Sequence, residues 1–410
     1  MILYERKDVC CGCGACAQIC PRLAISMEED EYGFIYPVID EELCVECGRC
    51  KSVCGYQNEA VLHEPIKTYA VADKDEERLK KSASGGAFAT IAAEVLKDGG
   101  VVFGAEMAAE NDKISIRHVM IERKSDLPRL QGSKYVQSKI GDVYKKVADL
   151  LKSGRRVLFS GTPCQVAGLK QFLKEVRNTA ENLYLVDIIC HGVPNQRMFD
   201  DYLDVLSEGI GARIEKFNFR PKDNGWGLEG KYYYKEDGMA RTKILNYHLF
   251  SYYVLFLNSD IYRENCYSCR YAKGERVSDI TLGDYWGIEK EQPEALIQNG
   301  GIIDMDKGVS CLMINTEKGA ELYDRVKGHI IAVESDFAKV KKNNGQLREP
   351  SHKGKNRDMV FHLYRKGDYS RVEKWFQKEL GMKKYYYKIV SMLPKGFKKA
   401  VIKVVTVYKK

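Results

Sequence analysis

The chain has 410 residues, 44% hydrophobic and 30% charged, a globular balance over a length that accommodates two or three domains and excludes disorder on the scale of a domain. No window holds the roughly 20 consecutive apolar residues that cross a bilayer, and the start "MILYERKDVC" lacks the apolar core of a secretory signal, so a cytoplasmic location is expected. The net charge of +8 is uneven: residues 380–410 hold nine lysines and no acid, and elsewhere basic and acidic side chains nearly cancel, so no nucleic-acid partner is expected.

Fourteen cysteines in a cytoplasmic chain read as metal ligands, catalytic thiols or packing residues, because the cytosol keeps thiols reduced. Nine of them lie between Cys10 and Cys54, in two blocks. "CCGCGACAQICP" places Cys10, Cys13, Cys16 and Cys20 at the spacing C-x2-C-x2-C-x3-C before Pro21. "CVECGRCKSVCG" repeats that spacing at Cys44, Cys47, Cys50 and Cys54, with Gly55 in the proline's place. In such runs three thiolates hold one cubane and the fourth ligates the other block's cluster. Cys10, Cys13, Cys16 and Cys54 are therefore expected to hold one 4Fe-4S cluster, and Cys44, Cys47, Cys50 and Cys20 the second. Zinc ribbons use C-x2-C in pairs, whereas this triple run with a fourth cysteine occurs twice. The C-x3-C-x2-C spacing of radical chemistry with S-adenosylmethionine is absent. Cys11 falls outside the pattern and reads as a spare thiol. Residues 1–60 resemble a bacterial-type ferredoxin with two 4Fe-4S clusters, "EYGFIYPVID" supplying its connecting strands.

"KSASGGAFATIAAEVLKDGGVVFGAEM" reads as a glycine-rich loop, then a helix with Phe88, Ile91, Ala92, Val95 and Leu96 at helical spacing, then a strand. Ser84, Gly85 and Gly86 would leave bare backbone N–H groups at the helix start, a seat for phosphate, although a plain loop fits the same residues. No G-x-G-x-x-G follows a strand, so a Rossmann dinucleotide site is not expected. "ISIRHVMIE" alternates as a strand, "LQGSKYVQS" is a polar loop, and "IGDVYKKVADLLKSG" is amphipathic, with Ile140, Val143, Tyr144, Val147, Leu150 and Leu151 on one face. "RRVLFSGTPCQVAGLKQFL" gives strand, turn and helix, and "NLYLVDIICHGVP" gives a strand ending in Cys190 and His191. That order predicts parallel pairing.

Open parallel sheets bind ligands beyond the carboxyl ends of their strands, where Cys164 and Cys190 both fall. Adjacent strands lie about 4.8 Å apart, so two such thiols can share one inorganic core. "ENCYSCRYAKGERVSDITLGDYWG" adds Cys266 and Cys269 as another C-x2-C. Cys164, Cys190, Cys266 and Cys269 thus form a candidate third 4Fe-4S site. For Cys164 two other readings stay open: a thiol that only packs, and the nucleophile of a dyad with His191. Cys311, in "VSCLMINT", reads as core.

The stretches "SASGGAFATIA", "GSKYVQS", "FSGTPCQVAGLK", "DIICHGVP", "FNFRPKDNGWG" and "VSDITLGDYWGI" resemble the family of the beta subunit of coenzyme F-420 hydrogenases and dehydrogenases. The resemblance covers about residues 65–315, and is strongest to the bacterial branch with an N-terminal two-cluster ferredoxin domain. It implies an α+β chain: the ferredoxin-like module, then a mixed α/β FAD-binding domain with its own cluster over residues 61–345 (parts 61–150 and 151–345), then a helical C-terminal tail. The FAD would be non-covalent, with Ser84, Gly85, Gly86, Gly132, Ser133, Lys134, Tyr135, Gly161 and Thr162 as its candidate residues. Lys134 would neutralise a diphosphate or lie near the flavin ring. The implied activity is that of an oxidoreductase whose electrons pass between a redox partner protein, either a ferredoxin-like donor or a larger complex, and a two-electron small-molecule acceptor. The deazaflavin coenzyme is one acceptor used within the family. A non-catalytic electron-transfer subunit, with clusters but no flavin, is the alternative.

Residues 316–333 read as a helix and a strand that complete the core, and "KVKKNNGQLREPSHKGKNRD" as a charged linker. Residues 346–410 form a basic helical segment. Its tail, "GMKKYYYKIVSMLPKGFKKAVIKVVTVYKK", interleaves lysines with aromatic and apolar residues, which suits a helix packed on the body or one in peripheral contact with an anionic membrane. Pro394 and Gly396 should break it in two.

Overall fold

In "VVFGAEM" successive side chains face opposite ways and both faces are apolar: Val101 and Phe103 enter one core cluster, Val102 another. Val157 and Phe159 part from Leu158 in the same way. Strands of this kind need cover on both faces, which is the pattern of a parallel sheet between helices. The structure, a computed structural model, describes residues 2–110, 113–178, 180–365 and 367–392. Its strands in chain order are β1 (Ile25–Glu29), β2 (Ile35–Ile39), β3 (Lys67–Asp73), β4 (Val101–Glu110), β5 (Lys113–Ile121), β6 (Val157–Gly161), β7 (Leu183–Ile188), β8 (Ile214–Asn218), β9 (Gly230–Glu236), β10 (Met239–Leu245), β11 (Ile280–Asp284), β12 (Ser310–Ile314) and β13 (Ile330–Ser335).

Eight of them form a mixed sheet in the order β13-β3-β12-β11-β7-β6-β4-β5. Four adjacent strands, β11-β7-β6-β4, pair in parallel, as the strand, helix, strand order predicts, and the strands on either side of them pair antiparallel. Helices Ala87–Lys97 and Glu317–Val326 cover one face. Helices Val143–Lys152 and Pro163–Glu175 cover the other.

A second sheet, β10-β9-β8, is antiparallel and had no counterpart in the sequence reading. Asp237 and Gly238, both at positive φ, turn the β9–β10 hairpin, and this Asp-Gly pair was the available signal. Helices Gln196–Ile210, Ser251–Leu257, Arg357–Tyr364 and Tyr369–Leu380 pack with it around an aromatic core that includes Phe199, Tyr202, Phe217 and Phe250. The stretch read as a charged linker also departs from expectation. Phe337–Asn343 is a helix that buries Val340, and Leu347 just after it is buried as well.

The N-terminal module is built into this body. From β2 and the turn before it, Tyr36 and Phe34 enter the aromatic core, while Ala15 and Ile19 pack against helices Val143–Lys152 and Pro163–Glu175. A Cβ on Gly55 would lie 2.5 Å from the carbonyl of Ala167, so the missing proline of the second block marks the point where the module's backbone meets that of the helix carrying Cys164. Tyr271 donates its hydroxyl to the Gly55 carbonyl, and Tyr56 donates to that of Asn265 at 3.0 Å.

At the other end, Tyr387 of helix Lys383–Met392 stacks on His248 with ring centroids 4.1 Å apart. Residues 393–410, where the expected break at Pro394 and Gly396 and much of the membrane reading fall, lie outside the described residues. Among the described residues no helix is long and apolar enough to cross a membrane.

Candidate functional site

The two cysteine blocks repeat in structure as well as spacing. Gly14 and Gly48 occupy equivalent positions with φ of 74° and 75°, each capping a short helix, Ala15–Ile19 and Arg49–Ser52. One hollow is lined by Cys10, Cys13, Cys16 and Cys54, and also by Cys11 and Cys50. The second is lined by Cys20, Cys44, Cys47 and Cys50. Each fourth cysteine thus lies with the other block's three, the exchange that two cubanes require. The charge balance agrees. Arg263 is fully buried, donates to the Cys10 carbonyl at 3.0 Å, and has Gln137 Oε1 at 3.4 Å, Cys10 Sγ at 3.9 Å and the Tyr36 ring at 3.9 Å as its other neighbours. None of these is a carboxylate. A buried guanidinium needs a negative partner, and thiolates ligating a cluster would supply one.

Beyond the carboxyl ends of β6, β7 and β11 lies a cavity of about 510 Å³ lined by Cys164, Cys190, Cys266 and Cys269. Cys164 is placed by a strong helix start: Thr162 and Gln165 form a reciprocal capping box with Pro163 between them. The C-x2-C loop is tied to β7 through Arg276 and Asp187, both buried and 3.2 Å apart. Arg276 also donates to the carbonyls of Tyr271 and Lys273, and Thr281 donates to Asp187. Cys11, read as spare, is buried between the modules. It lines both this cavity and the hollow that holds Cys10, Cys13 and Cys16. Among the described residues no hydrogen bond joins Cys164 to His191. Thr162 Oγ1 is 3.2 Å from the Cys164 sulfur, and the charged groups acting on His191 are Asp284 and Arg220.

Of the nine candidate flavin residues, all but Gly85 line this cavity. Gly85 is a glycine for another reason: its Cβ would lie 2.1 Å from the Val71 carbonyl and 2.5 Å from the Ser310 nitrogen, so it allows the loop to lie on the sheet. Gly86, at φ 81°, caps the 11-residue helix Ala87–Lys97, whose first N–H groups are the kind that hold an anion. Lys134 donates to the carbonyls of Leu130 and Gln131 at 2.9 and 2.8 Å, and burial pushes its ammonium down to about 7. Tyr135 packs into the aromatic core against Phe219, Tyr253 and Phe256. The sequence reading assigned no role to Arg220, Asp284 or Trp286, which form a further wall.

His118 also lines the cavity, with Ser160 O 2.9 Å from Nε2 and Ser138 Oγ 2.8 Å from Nδ1. Burial lowers its proton affinity from 6.5 to about 4. The unfolded chain therefore takes up this proton first as pH falls. The stabilisation is complete above about 6.5 and is lost between about 6.5 and 4, by up to about 3 kcal/mol. Stability measured against pH should show a shallower acid limb for His118→Gln than for the parent; identical limbs would refute this.

Residues 68–145 match the N-terminal part, and residues 154–337 the C-terminal part, of the family described as coenzyme F420 hydrogenase/dehydrogenase, beta subunit. Residues 9–58 match the 4Fe-4S dicluster domain. An uncharacterized protein of Methanocaldococcus jannaschii is 25% identical over 330 residues, covering 71% of this chain and 83% of that one. One of the subunits of the F(420)H(2) dehydrogenase of Methanosarcina mazei is 26% identical over 252 residues, covering 58% and 67%. A chain of the F420-reducing NiFe hydrogenase complex from Methanosarcina barkeri superposes with a TM-score of 0.46 at 15% identity, covering 74% of this chain and 93% of that one. With both halves of one family matched across the large sheet and a dicluster domain before them, the protein is iron–sulfur in type and belongs to the family of coenzyme F420 hydrogenase/dehydrogenase beta subunits.

Proposed function

We propose that the protein is an iron–sulfur flavoprotein oxidoreductase, relaying electrons between a ferredoxin-like carrier or larger redox complex and a two-electron small-molecule acceptor. The observation that carries this reading is a single cavity lined on one side by Cys164, Cys190, Cys266 and Cys269 and on another by the glycine-rich loop. A volume of about 510 Å³ is in the range that cofactor-sized ligands fill. When bound, 4Fe-4S clusters would exchange single electrons and a flavin would hold two as a hydride equivalent.

The residues divide this work. Cys10 to Cys54 would ligate the two N-terminal clusters and the four cavity thiols a third. The Gly86 end of helix Ala87–Lys97 would face the flavin diphosphate, and Lys134 would add a cation there. Phe88, Leu130 and Ile189 would give the cavity an apolar lining that keeps water away. In this reading residues 1–60 serve as the electron port and residues 61–345 as the site of exchange with the acceptor. A larger complex is supported by a relative named as a subunit of a dehydrogenase.

Iron, acid-labile sulfide and flavin per chain, measured on anaerobically purified protein, test the reading. About twelve irons and one FAD are expected, four irons per cubane. About eight irons and no flavin would leave an electron-transfer subunit instead.

A further inference from the structure

Two stretches, "FNFRPKDNGWG" and "TLGDYWGI", meet in space, although neither supplies a residue to the cluster or flavin sites proposed above. Trp226 donates its indole N–H to Asp284 Oδ1 at 3.2 Å and stacks on Trp286 with centroids 4.8 Å apart and planes at 6°. Arg220 donates through Nη1 to the other oxygen of Asp284 and through Nε to the Gly227 carbonyl at 3.0 Å, and lies 5.1 Å from the Trp286 ring centroid. Arg220 is thus held on three sides, is only 4% exposed, and lines the cavity. Its Nη2 has no hydrogen-bond partner among the described residues.

A buried, unpaired guanidinium N–H costs about 1–3 kcal/mol or more unless an acceptor meets it. The rest of the wall fixes the guanidinium plane, so this N–H is a held donor in the cavity wall rather than a mobile charge. We propose that Arg220 Nη2 recognises a ring carbonyl or anionic oxygen of the molecule occupying the cavity, with Asp284, Trp226 and Trp286 as positioning residues that orient it. Such an oxygen is present on the pyrimidine ring of a flavin and on quinone-like two-electron acceptors. The proposal rests on the cavity being the redox site described above.

The test is Arg220→Lys, which keeps a cation for Asp284 but loses the planar fork. Two probes separate the sources of the oxygen: FAD, titrated into deflavinated protein, and 2,6-dichlorophenolindophenol, which reoxidises reduced, desalted protein. Each indophenol takes two electrons from the protein and two protons from water, its ring carbonyl becoming a phenol and its imine nitrogen an amine. At least tenfold weaker FAD binding would place the oxygen on the flavin. Unchanged FAD binding with at least a tenfold higher half-saturating indophenol concentration would place it on the acceptor. Both probes within twofold of the parent would overturn the proposal and leave Arg220 as a fold-holding ion pair. Arg220→Gln, with a planar amide for Asp284 and no charge, serves if the lysine variant does not fold. A parent that carries no flavin sinks the functional reading; a flavin-bearing parent with unaffected variants sinks the Arg220 proposal alone.

Discussion

Protein carrying both Cys11→Ala and Cys164→Ser is expected to hold about four fewer irons per chain than the parent, the content of one cubane, while the irons of the N-terminal blocks remain. The double substitution matters because Cys11 lines the same cavity as Cys164 as well as the hollow of Cys10, Cys13 and Cys16. A thiol in that position can take over the vacated corner, so Cys164→Ser alone is expected to lose less iron than the pair. Electron paramagnetic resonance of the reduced proteins should show one cluster signal missing from the double variant. The other readings of Cys164 give different results: a nucleophile would leave iron at the parental level with activity gone, and a thiol that only packs would leave both unchanged. Either result would remove the third cluster from the proposed function.

The grouping of the N-terminal cysteines was legible because their code is local: C-x2-C-x2-C-x3-C sets which thiols share a hollow without reference to the rest of the fold. Cys164 and Cys190 were legible through a general rule, since alternating apolar strands with helices between them put their carboxyl ends on one edge. Three kinds of residue escaped. Gly85 and Gly86 look alike in sequence, yet one is small because the sheet backbone lies against it and the other because its φ is positive. Arg220 and Asp284 stand 64 positions apart, and a pair at that separation leaves no periodicity to read. Cys11 has no place in the spacing, and its position beside the cavity that Cys164 lines depends on a helix far along the chain. The linker reading failed at Phe337–Asn343 because a helix that buries few apolar side chains beneath lysines resembles a solvated run of charge.

Gly55→Ala is expected to destabilise the protein by about 1–3 kcal/mol, the usual cost of overpacking, and Gly55→Pro by more. In a free ferredoxin-like module proline at this place would be ordinary, since Pro21 holds the matching position in the first block. Here the added Cβ would meet the Ala167 carbonyl carbon and oxygen at 2.5 Å and the Gly168 nitrogen at 2.7 Å. Those are backbone atoms in a helix, so they cannot swing aside as a side chain would. Relief must come from the module moving off the helix, and Cys13 moves with it, because its sulfur lies just 3.0 Å from where a Cβ on Gly168 would be. A lowered melting temperature together with slower exchange of electrons between the N-terminal clusters and the cavity is therefore expected. Gly209→Ala is the control: it lies in helix Gln196–Ile210 with nothing near its Cβ position, and the better helix former should stabilise by up to about 1 kcal/mol. If Gly55→Ala melts with the parent and exchanges electrons at the parental rate, the close seating of the module on helix Pro163–Glu175 is not what couples the two halves of the chain.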